Sequence, residues 1–196
     1  MPPTSPQNQP TIRAPHPLAA ELAGRLAGGQ RVLDYAAGSG RNAVALQRAG
    51  FPVVAIPDAQ AEGDDPFAGI EGSFDAVVST HGFLHGTVTQ VRRRLALVVS
   101  RLRRDGLFYA TFGSTADARF GTGTYVEERT YAPQAGDERG VPHAFFDEPS
   151  LREALTDGLA LERLEERAVD HVAGAWAHAE RPLLGAVHWF AVARRT

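Results

Sequence analysis

The sequence lacks both cysteine and lysine among its 196 residues. Without cysteine, the chain cannot form a disulfide, a thiolate metal site or a cysteine nucleophile. Without lysine, it cannot form a Schiff base or use the lysine of a P-loop. All twenty basic residues are therefore arginine. They are spread along the whole chain, which is typical of codon bias in a high-GC genome.

Long apolar runs are also absent. No stretch reaches the roughly 18 apolar residues that span a bilayer, and the N-terminus has no basic region followed by an apolar core. The formal net charge of -3 provides no field that favours nucleic acid or an anionic membrane. We therefore expect a cytoplasmic monomer or homodimer whose partner is a small molecule, with no nucleic acid and no membrane involved.

The length and the 43% hydrophobic content predict one well-packed domain. Residues 1–15 hold five prolines and little apolar content, which favours a flexible arm. Residues 16–196 form the predicted domain, and residues 114–146 within it are read as a polar insertion or lid.

The most informative stretch runs from Val32 to Asn42, where an apolar strand leads through Asp34 and a glycine-rich turn into a helix. Gly38 and Gly40 let the backbone approach a ligand closely, and the amides that open the helix face that ligand. A carboxylate at Asp34 repels a pyrophosphate and attracts an amine or a sulfonium. This combination favours a nucleotide-like cofactor that carries positive charge, and S-adenosyl-L-methionine carries both groups.

The stretch resembles the first motif of the class I S-adenosylmethionine-dependent methyltransferases. The likeness continues in order at Phe74–Ser79, Leu102–Phe108 and Val187–Ala193, and Gly136–Phe146 is similar to a small bacterial subgroup that includes the tellurite-resistance type. The resemblance implies a three-layer, Rossmann-like α/β fold. It implies a mostly parallel seven-strand sheet with an antiparallel last strand, and methyl transfer to a small molecule.

The resemblance also assigns cofactor-binding residues. In the family, the first motif binds the amino-acid half of S-adenosylmethionine, and the loop after the strand at Phe74 lies at its sulfonium end. The residues assigned in this way are Asp34, Ala36, Gly38, Ser39, Gly40, Asn42, Ser79 and Thr80. The adenosine half falls to Asp58, Asp65 and Phe67. In the family, an acidic residue directly after the second strand binds the ribose hydroxyls. Pro57 occupies that position here, so Asp58 can bind the ribose only if the end of the strand bends. A leading helix in relatives lies over the cofactor, which brings Arg13 or His16 within reach.

The region between the second strand and the strand at Phe74 is short. Only the fifteen residues from Ala59 to Ser73 separate them, where relatives fit a helix and a strand. At about 1.5 Å per helical residue and 3.3 Å per strand residue, this length can hardly hold both and their turns. We expect the helix to be lost or reduced to one turn and the third strand to be missing.

Two histidines are candidates for the chemistry. Methyl transfer needs a nucleophile held near the methyl group and a base only when the nucleophile carries a proton. We predict His85 as the first candidate for a base or acceptor contact, and His143 on the insertion as the second. His81 and His85 have the spacing of two metal ligands on one helix face, but Gly82 argues against a helix and the sequence shows no third ligand. We therefore expect no metal.

Two other functions stay open. The segment Gly38–Ala43 also fits the G-x-G-x-x-A turn of an NAD(P)-dependent oxidoreductase, with Asp58 near the place of a ribose-binding acid. Alternatively, the Pro57 shift and the lost helix indicate a catalytically decayed methyltransferase fold that binds a ligand. The identity of the bound cofactor distinguishes an oxidoreductase from a methyltransferase. A measurement of turnover distinguishes an active methyltransferase from a catalytically decayed one.

Overall fold

Strands and helices alternate along the chain and build one sheet with helices on both faces. A computed structural model describes residues 14–172, 175 and 184–196. The helices in this part are α1 (Pro17–Arg25), α2 (Arg41–Arg48), α3 (Asp58–Ala61), α4 (Val88–Ser100) and α5 (Glu148–Leu155). The strands are β1 (Val32–Tyr35), β2 (Val53–Ile56), β3 (Phe74–Phe83), β4 (Leu102–Ser114), β5 (Thr124–Glu127), β6 (Thr130–Ala132), β7 (His143–Phe146), β8 (Leu159–Ala168) and β9 (Val187–Arg195).

The sheet has the topology that the resemblance implies. Strands β2, β1, β3 and β4 lie side by side and run parallel. The last strand, β9, pairs antiparallel with β4, and β8 pairs antiparallel with β9. The short strand β7 joins the end of β4 in parallel, which brings this sheet to seven strands. The predicted α/β class and the antiparallel last strand are confirmed.

Successive side chains of a strand point to opposite faces of the sheet, and helices cover side chains on both faces. On one face, Leu33, Val77 and Phe108 belong to a core that includes residues of α4 and α5. On the other face, Val32 and Tyr109 belong to a core that includes residues of α1 and α2. None of the helices in the described residues has the length and apolar character needed to cross a membrane.

The connection between β2 and β3 is shortened as expected. Helix α3 has a single turn, and the described chain forms no strand between α3 and β3. The predicted arm, residues 1–15, lies outside the described residues except for residues 14 and 15. The segment between β8 and β9 is described only at its two ends and at residue 175.

The insertion returns to the end of β3. It contains the hairpin of β5 and β6, and β6 pairs antiparallel with β7. The amide of Ala144 donates to the carbonyl of Leu84 at 2.9 Å, and the amide of Gly86 donates to the carbonyl of Pro142 at 2.7 Å. These bonds place His85 opposite His143, so the two histidines that the sequence singles out are neighbours.

Candidate functional site

The glycine turn, residues 36–40, joins β1 to α2 through three residues in the left-handed backbone region. Ala36 has a φ of 55°, Gly38 of 53° and Gly40 of 74°. No heavy atom of the described residues lies within 4 Å of the place where a side chain on Gly40 would begin, so this part of the chain leaves room for a ligand at the backbone there. Helix α2 starts at Arg41, directly after the turn, so the positive end of its dipole lies at this turn.

Asp34 lies beside this turn and is fully buried. Its Oδ2 accepts a hydrogen bond from the amide of Ala43 at 2.9 Å, which ties β1 to the first turn of α2. Its Oδ1 has no hydrogen-bond partner within the part of the chain that is described. Burial, together with the nearby Asp58, raises the pKa of Asp34 to about 7 although the Ala43 amide opposes the shift. A cationic ligand at Oδ1 would favour the ionised form.

Asp58 reaches the same turn despite the proline before it. Pro57 caps α3, and Asp58 is the first residue of that helix. The change of direction lets its Oδ1 accept a hydrogen bond from the amide of Gly38 at 3.1 Å. Asp58 and Asp34 therefore lie at the same edge of the sheet. The second oxygen of Asp58 has capacity left for a hydroxyl group.

Asp65 and Phe67 lie in the connection between α3 and β3. The Oδ1 of Asp65 accepts from the amide of Phe67 at 3.1 Å. The ring of Phe67 is buried in the core, where its centroid is 6.4 Å from that of Tyr35 and the guanidinium carbon of Arg101 is 4.8 Å away. The ring therefore has no open face to cover an adenine in this arrangement.

The end of β3 closes the other side of the crevice. Ser79 is buried, and its hydroxyl donates to the carbonyl of Tyr35 at 2.9 Å. The side-chain amide of Asn42 donates to the hydroxyl of Thr80 at 2.9 Å. Three residues predicted to bind the cofactor, Ser79, Thr80 and Asn42, are thus brought together with the glycine turn.

Helix α1 covers this crevice through its first residues. His16 is buried, and its backbone amide donates to the Oδ1 of Asn42 at 2.8 Å. Its Nδ1 accepts from the amide of Leu18 at 3.1 Å. Burial lowers the pKa of His16 to about 2, so the ring is neutral. Arg13, the other residue expected on this side, lies outside the described residues.

Sequence reasoning missed the role of Arg41. Its guanidinium is buried and donates to the carbonyl of Ala14 at 3.2 Å and to that of Ala175 at 3.4 Å. It therefore links the start of α2 to two distant segments. In the sequence, only the position of Arg41 directly after Gly40 could have indicated this role.

The predicted catalytic histidines belong to a second group of residues, the His85 cluster, which consists of His85, His143, Glu62 and Glu138. The Nδ1 of His85 lies 3.1 Å from Glu62, and its Nε2 lies 3.4 Å from Glu138. The Nε2 of His143 lies 3.1 Å from Glu138, and its Nδ1 lies 2.9 Å from the carbonyl of Val141. All four ring nitrogens are therefore engaged.

The charges of the cluster restrict its chemistry. The hydrogen bond to Glu138, followed by the one to Glu62, raises the pKa of His85 to about 9. The bonds from both histidines hold the pKa of Glu138 well below its usual range. His85 therefore favours its protonated form near neutral pH and directs an N–H toward each glutamate. Sequence reasoning missed both glutamates, because Glu62 lies in the shortened connection and Glu138 lies in the insertion.

An open cavity of about 260 Å³ adjoins the cluster. Its lining includes Glu62, His85, Gly86, Arg93, Arg94 and Pro142. The wall therefore carries both signs of charge, together with the apolar surface of Pro142. Such a lining suits a small polar molecule.

Several solved structures share this fold. A 1,6-didemethyltoxoflavin-N1-methyltransferase from Burkholderia thailandensis, solved with 1,6-didemethyltoxoflavin and S-adenosylhomocysteine, is 22% identical and matches with a TM-score of 0.62, over 92% of this chain and 77% of its own. TehB from Haemophilus influenzae is 16% identical with a TM-score of 0.64, over 97% of this chain and 64% of its own.

A SAM-dependent methyltransferase from Methanosarcina mazei is 15% identical and matches with a TM-score of 0.64, over 93% of this chain and 99% of its own. No protein-family model matches the chain, and no curated protein is significantly similar to it in sequence. The chain thus has the fold of the class I S-adenosylmethionine-dependent methyltransferases, the class to which the glycine turn and Asp34 pointed.

The contact between the glycine turn and β3 can be tested by two substitutions. We expect Ala36→Gly to stabilise the protein by about 0.5 to 1 kcal/mol, because relief of a left-handed alanine exceeds the larger entropy loss of glycine. We expect Gly82→Ala to destabilise it by about 1 to 3 kcal/mol. A methyl group on Gly82 would lie 2.6 Å from the Cβ of Ala36 and 2.5 Å from the hydroxyl of Ser79. Urea unfolding measures both.

The double variant is the control. With the Ala36 side chain removed, Gly82→Ala should cost clearly less, because one of its two close contacts is gone. An equal cost in both backgrounds would mean that the end of β3 does not pack against the turn as described.

Proposed function

We propose that this protein transfers a methyl group from S-adenosyl-L-methionine to a small-molecule acceptor. The observation that carries the proposal is the buried Oδ1 of Asp34, which has no hydrogen-bond partner among the described residues and lies beside a glycine turn of the methyltransferase fold. A buried carboxylate oxygen without a partner is costly. An ammonium or sulfonium group would supply the missing charge and hydrogen bond.

The residues around the glycine turn fit the amino-acid half of this cofactor. Asp34 would hold its positive charge. The backbone of Ala36, Gly38, Ser39 and Gly40 would shape its seat, as glycine positions with a positive φ allow. Asn42, Ser79 and Thr80 would close the side next to β3 through the bonds that link Asn42 to Thr80 and Ser79 to β1. When bound, the cofactor supplies an electrophilic methyl group.

The adenosine half has fewer partners. Asp58 would accept a ribose hydroxyl with the oxygen that the Gly38 amide does not use. Asp65 keeps one oxygen for the amino group of the base. Phe67 would support Asp65 through its backbone amide rather than by covering the base, because its ring is buried. We therefore propose modest cofactor affinity.

The acceptor is proposed to bind in the cavity beside His85. Its volume of about 260 Å³ suits a small molecule. The toxoflavin-precursor methyltransferase is a neighbour in fold whose name gives a small heterocyclic acceptor, which supports this substrate class. His85 would border the acceptor with its ring, whose two nitrogens are held by Glu62 and Glu138. A proton-accepting role for His85 or His143 and a cytoplasmic location both stay predictions from the sequence.

A second candidate, a ligand-binding protein without turnover, is favoured by one observation. The burial of Phe67 removes a contact with the base on which a catalytic site of this fold was expected to rely. An oxidoreductase is less well supported, because the buried carboxylate of Asp34 would face a pyrophosphate.

Calorimetric titration with S-adenosylmethionine, S-adenosylhomocysteine and NADH separates these functions. We expect micromolar binding of the first two and none of NADH. Binding of NADH alone would overturn the proposal. Binding of S-adenosylmethionine with no turnover across a panel of heterocyclic and phenolic acceptors would favour the ligand-binding protein, and binding of none would contradict both.

The pH dependence of cofactor binding tests the role of Asp34. Only the ionised carboxylate attracts a cation, and with a pKa of about 7 the ionised fraction rises between pH 6 and 8. We expect the dissociation constant of S-adenosylmethionine to be about tenfold larger at pH 6 than at pH 8. Calorimetry at the two pH values measures the ratio.

Asp34→Asn is the matched control, because it keeps the shape and the acceptor for the Ala43 amide but carries no charge at any pH. This variant should bind more weakly and lose most of the pH dependence. If it retains the wild-type ratio, the titrating group is in the ligand or elsewhere in the protein, and Asp34 does not hold the cofactor.

A further inference from the structure

The His85 cluster has the composition and the geometry of a metal site. We propose that His85, His143 and Glu138 bind one divalent transition-metal ion, and that Glu62 orients His85. The sequence alone does not predict this site, because the only metal-ligand spacing recognised in it pairs His81 with His85 and shows no third ligand. The fold instead pairs His85 with a histidine and a glutamate of the insertion.

The distances suit a single ion. The Oε1 of Glu138 lies 3.4 Å from the Nε2 of His85, and its Oε2 lies 3.1 Å from the Nε2 of His143. One ligand atom from each of the three residues lies within 4.8 Å of the others. Ligands at about 2.0 to 2.1 Å from a tetrahedral zinc ion are about 3.4 Å apart. A small movement of the side chains therefore brings all three ligand atoms to a common centre.

The hydrogen bonds of the two rings direct both Nε2 atoms toward Glu138, where a metal ion would displace the proton that the Nε2 of His85 shares with this carboxylate. The Nδ1 of His143 faces the carbonyl of Val141, which can only accept, so this nitrogen carries a proton. The Nδ1 of His85 faces the carboxylate of Glu62. Each ring is thus oriented by an acceptor on one side and turns its Nε2 toward Glu138. Metal-binding histidines are typically oriented by a carboxylate or a backbone carbonyl in this way.

The backbone holds the ligands in place. His85 follows the end of β3, and His143 begins β7. The bonds from Ala144 to Leu84 and from Gly86 to Pro142 join these segments on both sides of the histidines. Arg94 also donates to the carbonyl of His85. The two histidines are therefore positioned by the fold, and Glu138 completes the set.

The ligand types decide which ion fits. Two imidazoles and one carboxylate suit zinc, iron(II), cobalt or nickel, whereas magnesium and calcium prefer oxygen ligands. Three protein ligands leave one coordination position for water or another small ligand. The side chains of His85 and Glu138 are 32% and 38% exposed, so this position is open to solvent.

Metal titration of the full chain without a histidine tag tests the site. After treatment with EDTA and desalting, the protein is titrated with zinc chloride by calorimetry and with cobalt chloride by visible absorption. We expect one equivalent of zinc to bind, and cobalt to give the intense d–d bands of four-coordinate geometry. Because the assay contains no S-adenosylmethionine, its outcome does not depend on the proposed methyl transfer.

Substitutions locate the ion. Glu138→Gln, on a half-exposed side chain that should not affect folding, is expected to weaken zinc binding by at least about tenfold and to remove the cobalt bands. Glu62→Gln should weaken binding by about 10- to 100-fold and keep the bands, because it changes only the group that orients His85. Glu128→Gln is the matched control in the same insertion, since its side chain is 81% exposed and pairs with Arg129.

His143→Gln removes a second proposed ligand and should also lose the cobalt bands. Circular dichroism checks that this variant is folded. Absence of stoichiometric zinc binding by the wild-type protein would overturn the proposal. Equal zinc affinity in the wild type and in Glu138→Gln would also overturn it, because the ion would then be bound elsewhere in the chain.

Discussion

A hydrogen bond from the amide of Ala43 to the buried carboxylate of Asp34 joins β1 to α2. Burial alone would make an ionised aspartate costly, and the donor at the start of α2 offsets part of this cost. The bond fixes the angle at which the chain leaves β1, and this angle fixes the glycine turn. Around it, Asp58 bonds to the glycine turn, Ser79 bonds to β1, and Asn42 links α2 to Thr80 of β3.

The shortened connection shows how the fold retains an acidic residue near the turn with few residues. Pro57 takes the position directly after β2 and has no amide hydrogen to donate. The chain then forms the one-turn helix α3, whose first residue is Asp58. The same short helix is followed by Glu62, which contacts His85. This short segment, which has one helical turn and no strand before β3, thus supplies one residue to the glycine turn and another to the His85 cluster.

The sequence predicted the fold well because local patterns determine it. The glycine turn between β1 and α2 and the shortened connection after β2 each depend on residues close in the chain. The site was less predictable where it depends on distant contacts. The burial of Phe67 results from packing against Tyr35 and Arg101. The link between Glu138 and His85 joins residues more than fifty positions apart, and no local pattern indicates it.

The insertion begins and ends at a single point of the sheet. Ser114, at the end of β4, pairs with Phe146, at the end of β7, and the amide of Thr115 donates to the carbonyl of Phe146 at 3.1 Å. The segment between them therefore leaves the sheet and returns to it at neighbouring positions. Doubling the length of such a closed loop costs only about 0.6 kcal/mol. Evolution or an engineer could therefore exchange residues 115–142, which precede β7, and alter the surface above β3 while the seven strands of the sheet stay the same.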